Sequence, residues 1–263
     1  MKYSFILAIF SIVLFLQPTV QAEVVLQEVE YDHNGQNLVG YLAYDSSVTT
    51  KRPGVMIIHD WNGIDDYEKG RAKQLAEMGY VAFAADIYGK GHTAAEPGKA
   101  GEWAGKFRNN DREMFRARAN RGLEFLKAQE QTDATKVAAI GYCFGGTGVL
   151  ELARSGTNLN GVISFHGGLN QSAEATPATA MNTRILVCTG ADDPGVPIEQ
   201  VGELEDELRA LNADYQIISY GNAVHSFTNP GAGNDKSSGN AYDETADKRS
   251  WEHMKVFFAE VLQ

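Results

Sequence analysis

Val137-Ala-Ala-Ile-Gly-Tyr-Cys-Phe-Gly-Gly-Thr147 is the stretch that decides the fold. A short apolar run, Val137–Ile140, feeds Gly141-Tyr142-Cys143-Phe144-Gly145-Gly146, and helix-compatible residues continue from Thr147. This is the strand-to-helix elbow that carries a nucleophile, with cysteine where serine is usual. So tight a turn forces its central residue into a strained backbone, and only glycines leave room two residues before and two after it. The following helix directs its positive amino end at Cys143, which favours negative charge there. The second cysteine, Cys188, lies inside the apolar run Ile185–Thr189 and reads as inert core.

Outward from the elbow, apolar runs at Val55–Ile58, Val81–Ala85, Gly161–Phe165, Ile185–Cys188 and Tyr215–Tyr220 alternate with helical patterns over 66–78, 111–128, 144–154, 198–211 and 243–261. Buried strands separated by helices predict a mainly parallel sheet covered on both faces, a three-layer α/β architecture. Upstream, Val24–Tyr31 and Leu38–Tyr44 alternate around Asn34-Gly35, which predicts an antiparallel hairpin. No internal repeat or low-complexity linker divides residues 23–263, which read as one domain. The stretches 87–110 and 226–242 are rich in Gly, Ala, Asn and Pro and read as irregular. Loops of this kind form sites at the carboxyl ends of strands.

An elbow nucleophile requires an acid and then a histidine, each after a later strand. Gly190-Ala191-Asp192-Asp193-Pro194 follows one strand and Val224-His225-Ser226 follows the last. Cys143, Asp193 and His225 thus stand in the required order. Asp192 competes for the acid, and Asp193, immediately before Pro194, is favoured.

Composition narrows the function. A chain of 263 residues with 43% hydrophobic and 22% charged residues is globular, and its net charge of −11 argues against nucleic acid, whose binding depends on neutralising phosphates. Two cysteines make no disulfide framework, and no Cys-x-x-Cys or histidine-rich cluster suggests a zinc site or a resolving thiol for redox work. At the amino end, Lys2, the apolar stretch Tyr3–Leu16, Pro18 and Val20-Gln21-Ala22 form a secretory signal peptide over 1–22, with cleavage after Ala22. The stretch is shorter than the roughly 18 to 20 residues that span a bilayer, although an uncleaved anchor is the alternative. The expectation is a periplasmic or secreted protein without stable membrane association.

Taken together, His59-Asp60-Trp61-Asn62-Gly63, Ala85-Asp86-Ile87-Tyr88-Gly89, Gly141–Gly146, Asp193–Pro197, His225–Pro230, Ala241-Tyr242-Asp243 and Arg249-Ser250-Trp251 resemble the dienelactone hydrolase (carboxymethylenebutenolidase-like) family of α/β-hydrolases over nearly the whole mature chain. The resemblance implies a Cys143–His225–Asp193 triad that cleaves esters or lactones without a cofactor, by way of an acyl-enzyme. It also implies an oxyanion hole from the backbone N–H groups of Trp61 and Phe144. Asp60 stands where the family has a glutamate that contacts the cysteine. It is either such a neighbour of the nucleophile or a turn-capping carboxylate. Asn229 stands where the family has an arginine for the substrate carboxylate, so neutral esters and lactones are expected to be preferred. Arg108, Arg112 and Arg116 recur at i, i+4 and i+8 and could supply a cation, but are expected to be a solvated stripe paired with surface acids. Phe115, Ala119, Gly122 and Leu126 mark the core face of the same helix. The alternative function is a non-catalytic periplasmic binding protein on the same fold.

Overall fold

The computed structural model describes residues 23–92, 98–171 and 176–263; the expected leader over 1–22 lies outside them. Eight strands form one sheet: β1 (Val24–His33), β2 (Gln36–Asp45), β3 (Arg52–Ile58), β4 (Val81–Ala85), β5 (Thr132–Tyr142), β6 (Gly161–Phe165), β7 (Arg184–Gly190) and β8 (Tyr215–Tyr220). Their order across the sheet is β1-β2-β4-β3-β5-β6-β7-β8. The β1–β2 hairpin is antiparallel, with Asn34 and Gly35 both at positive φ in its turn, and β2 also runs antiparallel to β4. Every pairing from β4 through β8 is parallel.

The strands of the parallel part are buried on both sides, which is why they read as continuous apolar runs. One side, including Met56, Phe83, Ala139, Val162 and Val187, packs on α3 (Arg112–Lys127), α4 (Phe144–Arg154) and α5 (Ile198–Ala210). The other, including Ile57, Ala84, Ile140, Ile163 and Leu186, packs on α1 (Asp66–Glu77) and α6 (Glu244–Val261). Aspartates start three of these helices: Asp65, Asp111 and Asp243 each accept a bond from an amide of the first turn.

Two expectations need correction. β5 begins at Thr132 rather than Val137, because its polar first half pairs with Arg52 and Pro53 at the start of β3. The stretch 87–110 is also not wholly irregular, since it contains α2 (Ala100–Gly105) and a turn of π-helix over Lys106–Asn110. The two glycines of α2 and the lack of an apolar stripe hide both.

Candidate active site

The elbow gathers the site at the carboxyl edge of the sheet. Cys143 has φ 53° and ψ −110°, a strained conformation for a residue with a side chain. Its flanking glycines are obligatory: a Cβ on Gly141 would lie 2.0 Å from the Gly145 carbonyl oxygen, and one on Gly145 would lie 2.0 Å from that of Ile58. The Phe144 ring stacks on Phe115 of α3 with centroids 4.4 Å apart, which pins the start of α4.

His225, in the loop after β8, places Nε2 2.9 Å from Cys143 Sγ and Nδ1 2.8 Å from Asp193 Oδ2. The Asp193 side chain is wholly buried, and its Oδ1 accepts the Gly195 amide at 2.7 Å. Asp192 is exposed and its amide bonds to Ala223. Burial opposes a charge on His225, but its hydrogen bonds to Asp193 and Cys143 and the negative charge of both outweigh it and push its pKa up to about 10. Nδ1 thus faces the carboxylate and Nε2 the sulfur. Cys188 by contrast is buried within β7, its thiol pushed up to about 12 by desolvation despite the Tyr220 hydroxyl that donates to it.

The loop after β3 borders Cys143 on another side. Phe144 is the first residue of α4, whose leading amides have no partner within the helix. Trp61 lines the same cavity as Cys143, and its carbonyl accepts the Tyr88 hydroxyl at 3.0 Å. His59 ties this loop to the segment after β4, with Nδ1–H donating to the Asp60 carbonyl at 2.6 Å and Nε2 accepting the Ile87 amide at 3.1 Å. Asp60 is turned into its own loop. Its Oδ1 accepts the Asn62 amide at 2.7 Å and Oδ2 the Asn62 side chain at 3.3 Å, a local turn of the capping kind rather than a bond to Cys143. Burial raises this carboxyl to about 6; Asp65 adds to the rise, while the Asn62 bonds and His225 oppose it.

A cavity of about 400 Å³ opens on Cys143, lined by Trp61, Gly101, Ala104, Arg108, His225, Ser226 and Asn240. A broader groove of about 790 Å³ next to it contains neither Cys143 nor His225, so the smaller cavity is the one that bears on the chemistry. Asn229 borders that groove, not the cavity, and its Oδ1 accepts the Gly231 amide at 2.8 Å. The residue on which the expectation of neutral substrates rested thus lies outside the Cys143 cavity. The arginine stripe also departs from expectation. Arg112 and Arg116 are buried and each lies 2.8 Å from the fully buried Glu151 of α4, joined there by Arg154 at 2.9 Å. Arg108 alone of the three reaches the cavity. It is carried by the π-turn, a geometry that recurs at functional sites, and pairs with no carboxylate among the described residues. Sequence reasoning missed His166 as a neighbour of the site, quoted Tyr88 only within a motif, and offered Arg108 as a cation but favoured a solvated place for it. The only signal for His166 was its place just past the strand beside the elbow strand.

An eight-stranded, mostly parallel sheet with a nucleophile elbow feeding its central helix defines an α/β-hydrolase. The profile of the dienelactone hydrolase family matches residues 38–262, and the chain belongs to that family and is a hydrolase. Among solved structures it is similar to one designated m3DLH, at 38% identity and a TM-score of 0.85 over 91% of this chain and 99% of that one. It is likewise similar to a dienelactone hydrolase-like promiscuous phosphotriesterase from metagenomic libraries, at 38% identity and a TM-score of 0.83 over 91% and 99%. A candidate carboxymethylenebutenolidase of Aquifex aeolicus is 26% identical over 90% of this chain and 99% of its own.

Proposed function

We propose that the protein hydrolyses carboxylic esters or lactones with Cys143 as nucleophile, His225 as acid and base, and Asp193 as the group that orients His225. The contact of Cys143 with His225 and of His225 with Asp193 inside one cavity carries this reading. The thiolate, stabilised by the charged imidazole, attacks the carbonyl carbon, and the amides of Trp61 and Phe144 receive the oxyanion. The intermediate collapses to a thioester as the leaving oxygen takes the Nε2 proton. His225, now neutral, removes a proton from water, which attacks the thioester, and the acid product leaves with the thiolate restored. Arg108, on the cavity wall and without a carboxylate partner among the described residues, favours substrates that carry an anionic group.

A phosphotriester is a second substrate class, supported by the 38% identity to a structure described as a promiscuous phosphotriesterase. Export by cleavage after Ala22 is also part of the proposal, resting on the charged, apolar and small-residue order of residues 1–22. The test is turnover of p-nitrophenyl esters, lactones and a phosphotriester by the purified protein and by Cys143→Ala. Turnover lost in the variant supports the reading. Turnover that survives in full, or a protein that binds esters without cleaving them, overturns it in favour of another nucleophile or of a binding protein.

A further inference from the structure

We propose that His166 is a positioning residue for the nucleophile, a neutral imidazole strung between the Cys143 backbone and the loop that carries His225. The proposal rests on Cys143 being the nucleophile.

His166 immediately follows β6, with its amide donating to the Cys188 carbonyl at 2.8 Å and its φ at +41°, an unusual backbone for a residue with a side chain. That backbone folds the ring back beside the elbow. The Cys143 amide then has two acceptors, the Phe165 carbonyl at 3.0 Å, which continues the β5–β6 ladder, and His166 Nδ1 at 3.1 Å. Across the ring, Nε2 lies 2.7 Å from Thr228 Oγ1. Thr228 is three residues beyond His225, and the two imidazoles meet edge to face with centroids 5.4 Å apart.

The proton positions follow from one fact. A backbone N–H only donates, so Nδ1 of His166 must present its lone pair and the ring proton must sit on Nε2. Nε2–H then donates to Thr228 Oγ1, which also shares a hydrogen bond with the Tyr67 hydroxyl, 2.6 Å away. Arg71 holds the same loop from α1, donating to the Thr228 carbonyl at 2.8 Å and to Asp247 of α6 at 2.6 Å. The direction of both bonds at the His166 ring is thus set, and a charged His166 would break the one to Cys143. Complete burial, reinforced by the positive charge of His225, holds His166 well below the usual histidine range, so the ring stays neutral.

The role needs an acceptor at one ring atom and a donor opposite it, in a rigid plane, and neutral histidine supplies both. Its effect is on distance: the elbow and the base loop come from separate strands, and His166 is the bonded link that sets how closely Sγ and Nε2 approach. A misplacement of about 1 Å at such a pair costs on the order of 100-fold in rate.

The test compares His166→Leu with His166→Asn. Asparagine tolerates positive φ and places an amide oxygen where Nδ1 stood, so it keeps the acceptor for Cys143; leucine does not. In His166→Leu, kcat for a p-nitrophenyl ester should fall about 30- to 100-fold with KM within about twofold, and iodoacetamide alkylation of Cys143 at pH 7 should slow in parallel. His166→Asn should recover kcat to within about fivefold of the parent. Thermal melts run beside these assays show what fraction of each variant is folded. A folded His166→Leu with parental kcat and alkylation rate overturns the proposal, as does His166→Asn impaired as severely as leucine. If His166→Leu does not fold, Thr228→Val decides: a fall in kcat without a change in KM supports the link, and an unchanged kcat overturns it. Full activity in Cys143→Ala would instead overturn the nucleophile and this proposal with it, whereas an inactive Cys143→Ala beside an unimpaired His166→Leu removes only His166.

Discussion

Replacing Arg108 by methionine removes a positive charge from the wall of the catalytic cavity while keeping an apolar stem of similar reach. A hydrogen bond to a charged partner is worth about 1.5 to 3 kcal/mol, and each 1.4 kcal/mol is about tenfold in kcat/KM. Arg108 is only half-buried, so solvent screens it and the lower end applies. Arg108→Met should thus lower kcat/KM for a carboxylate-bearing lactone about 10- to 30-fold and change that for its methyl ester less than about threefold. The assay measures both substrates on both proteins, so that a general loss of folded enzyme cancels in the ratio. Raising the salt should erode the parent's preference for the free acid and leave the variant's unchanged. An acid-to-ester ratio that is the same in parent and variant would refute the argument and show that the guanidinium does not meet the substrate.

Asp193→Asn should leave the protein folded but lower kcat by about 10³- to 10⁴-fold, read with a chromogenic ester, because an amide cannot hold the Nδ1–H form of His225. Gly145→Ala forces a Cβ into the Ile58 carbonyl and should destabilise by about 3 kcal/mol or more, visible as a melting temperature lowered by roughly 6 to 12 °C; an unshifted melt would show that the elbow has slack. Glu151→Gln leaves three buried arginines short of a carboxylate and should cost about 3 to 5 kcal/mol by urea unfolding. Asp60→Asn tests the raised carboxyl. With its folded pKa at about 6, above the unfolded value, the folded state holds this proton more tightly, and stability falls as pH rises from about 4 through 6. The variant should therefore be more stable than the parent at pH 7.5, by about 3 kcal/mol in urea unfolding, and equal it at pH 4.

The parts of the fold legible in sequence were those specified locally. Strands buried on both faces announce themselves as apolar runs, and Asp65, Asp111 and Asp243 mark helix starts because a capping bond needs only residues two or three positions away. The Cys143, Asp193 and His225 positions were legible for a related reason: the elbow leaves a glycine signature, and strand order dictates where its partners stand. What stayed hidden depends on contacts remote in sequence. Arg112 and Arg116 lie on a helix face that pattern alone assigns to solvent, and only Glu151, more than thirty residues later and on another helix, turns that face inward. Arg108 reaches the cavity through a π-turn in a segment with no periodicity, and His166 belongs to no recurring motif.

Glu151 lies two turns along the helix that begins just after Cys143, and it grips Arg112, whose Nε in turn donates to the carbonyl of Arg108. The wall of the cavity and the Cys143 sulfur are thus moored to the same post, although one comes from the connection after β4 and the other from the end of β5. A segment moored at one end is free to be rewritten where it faces solvent. The exposed positions Gly98, Lys99, Gly101 and Glu102 can change size or charge without shifting Cys143, provided Arg112 keeps its hold, whereas Phe107 is buried against the Phe115 ring on which Phe144 stacks. New specificities on this scaffold are most readily gained at those exposed positions, by exchange of a short cassette rather than by alteration of the catalytic residues.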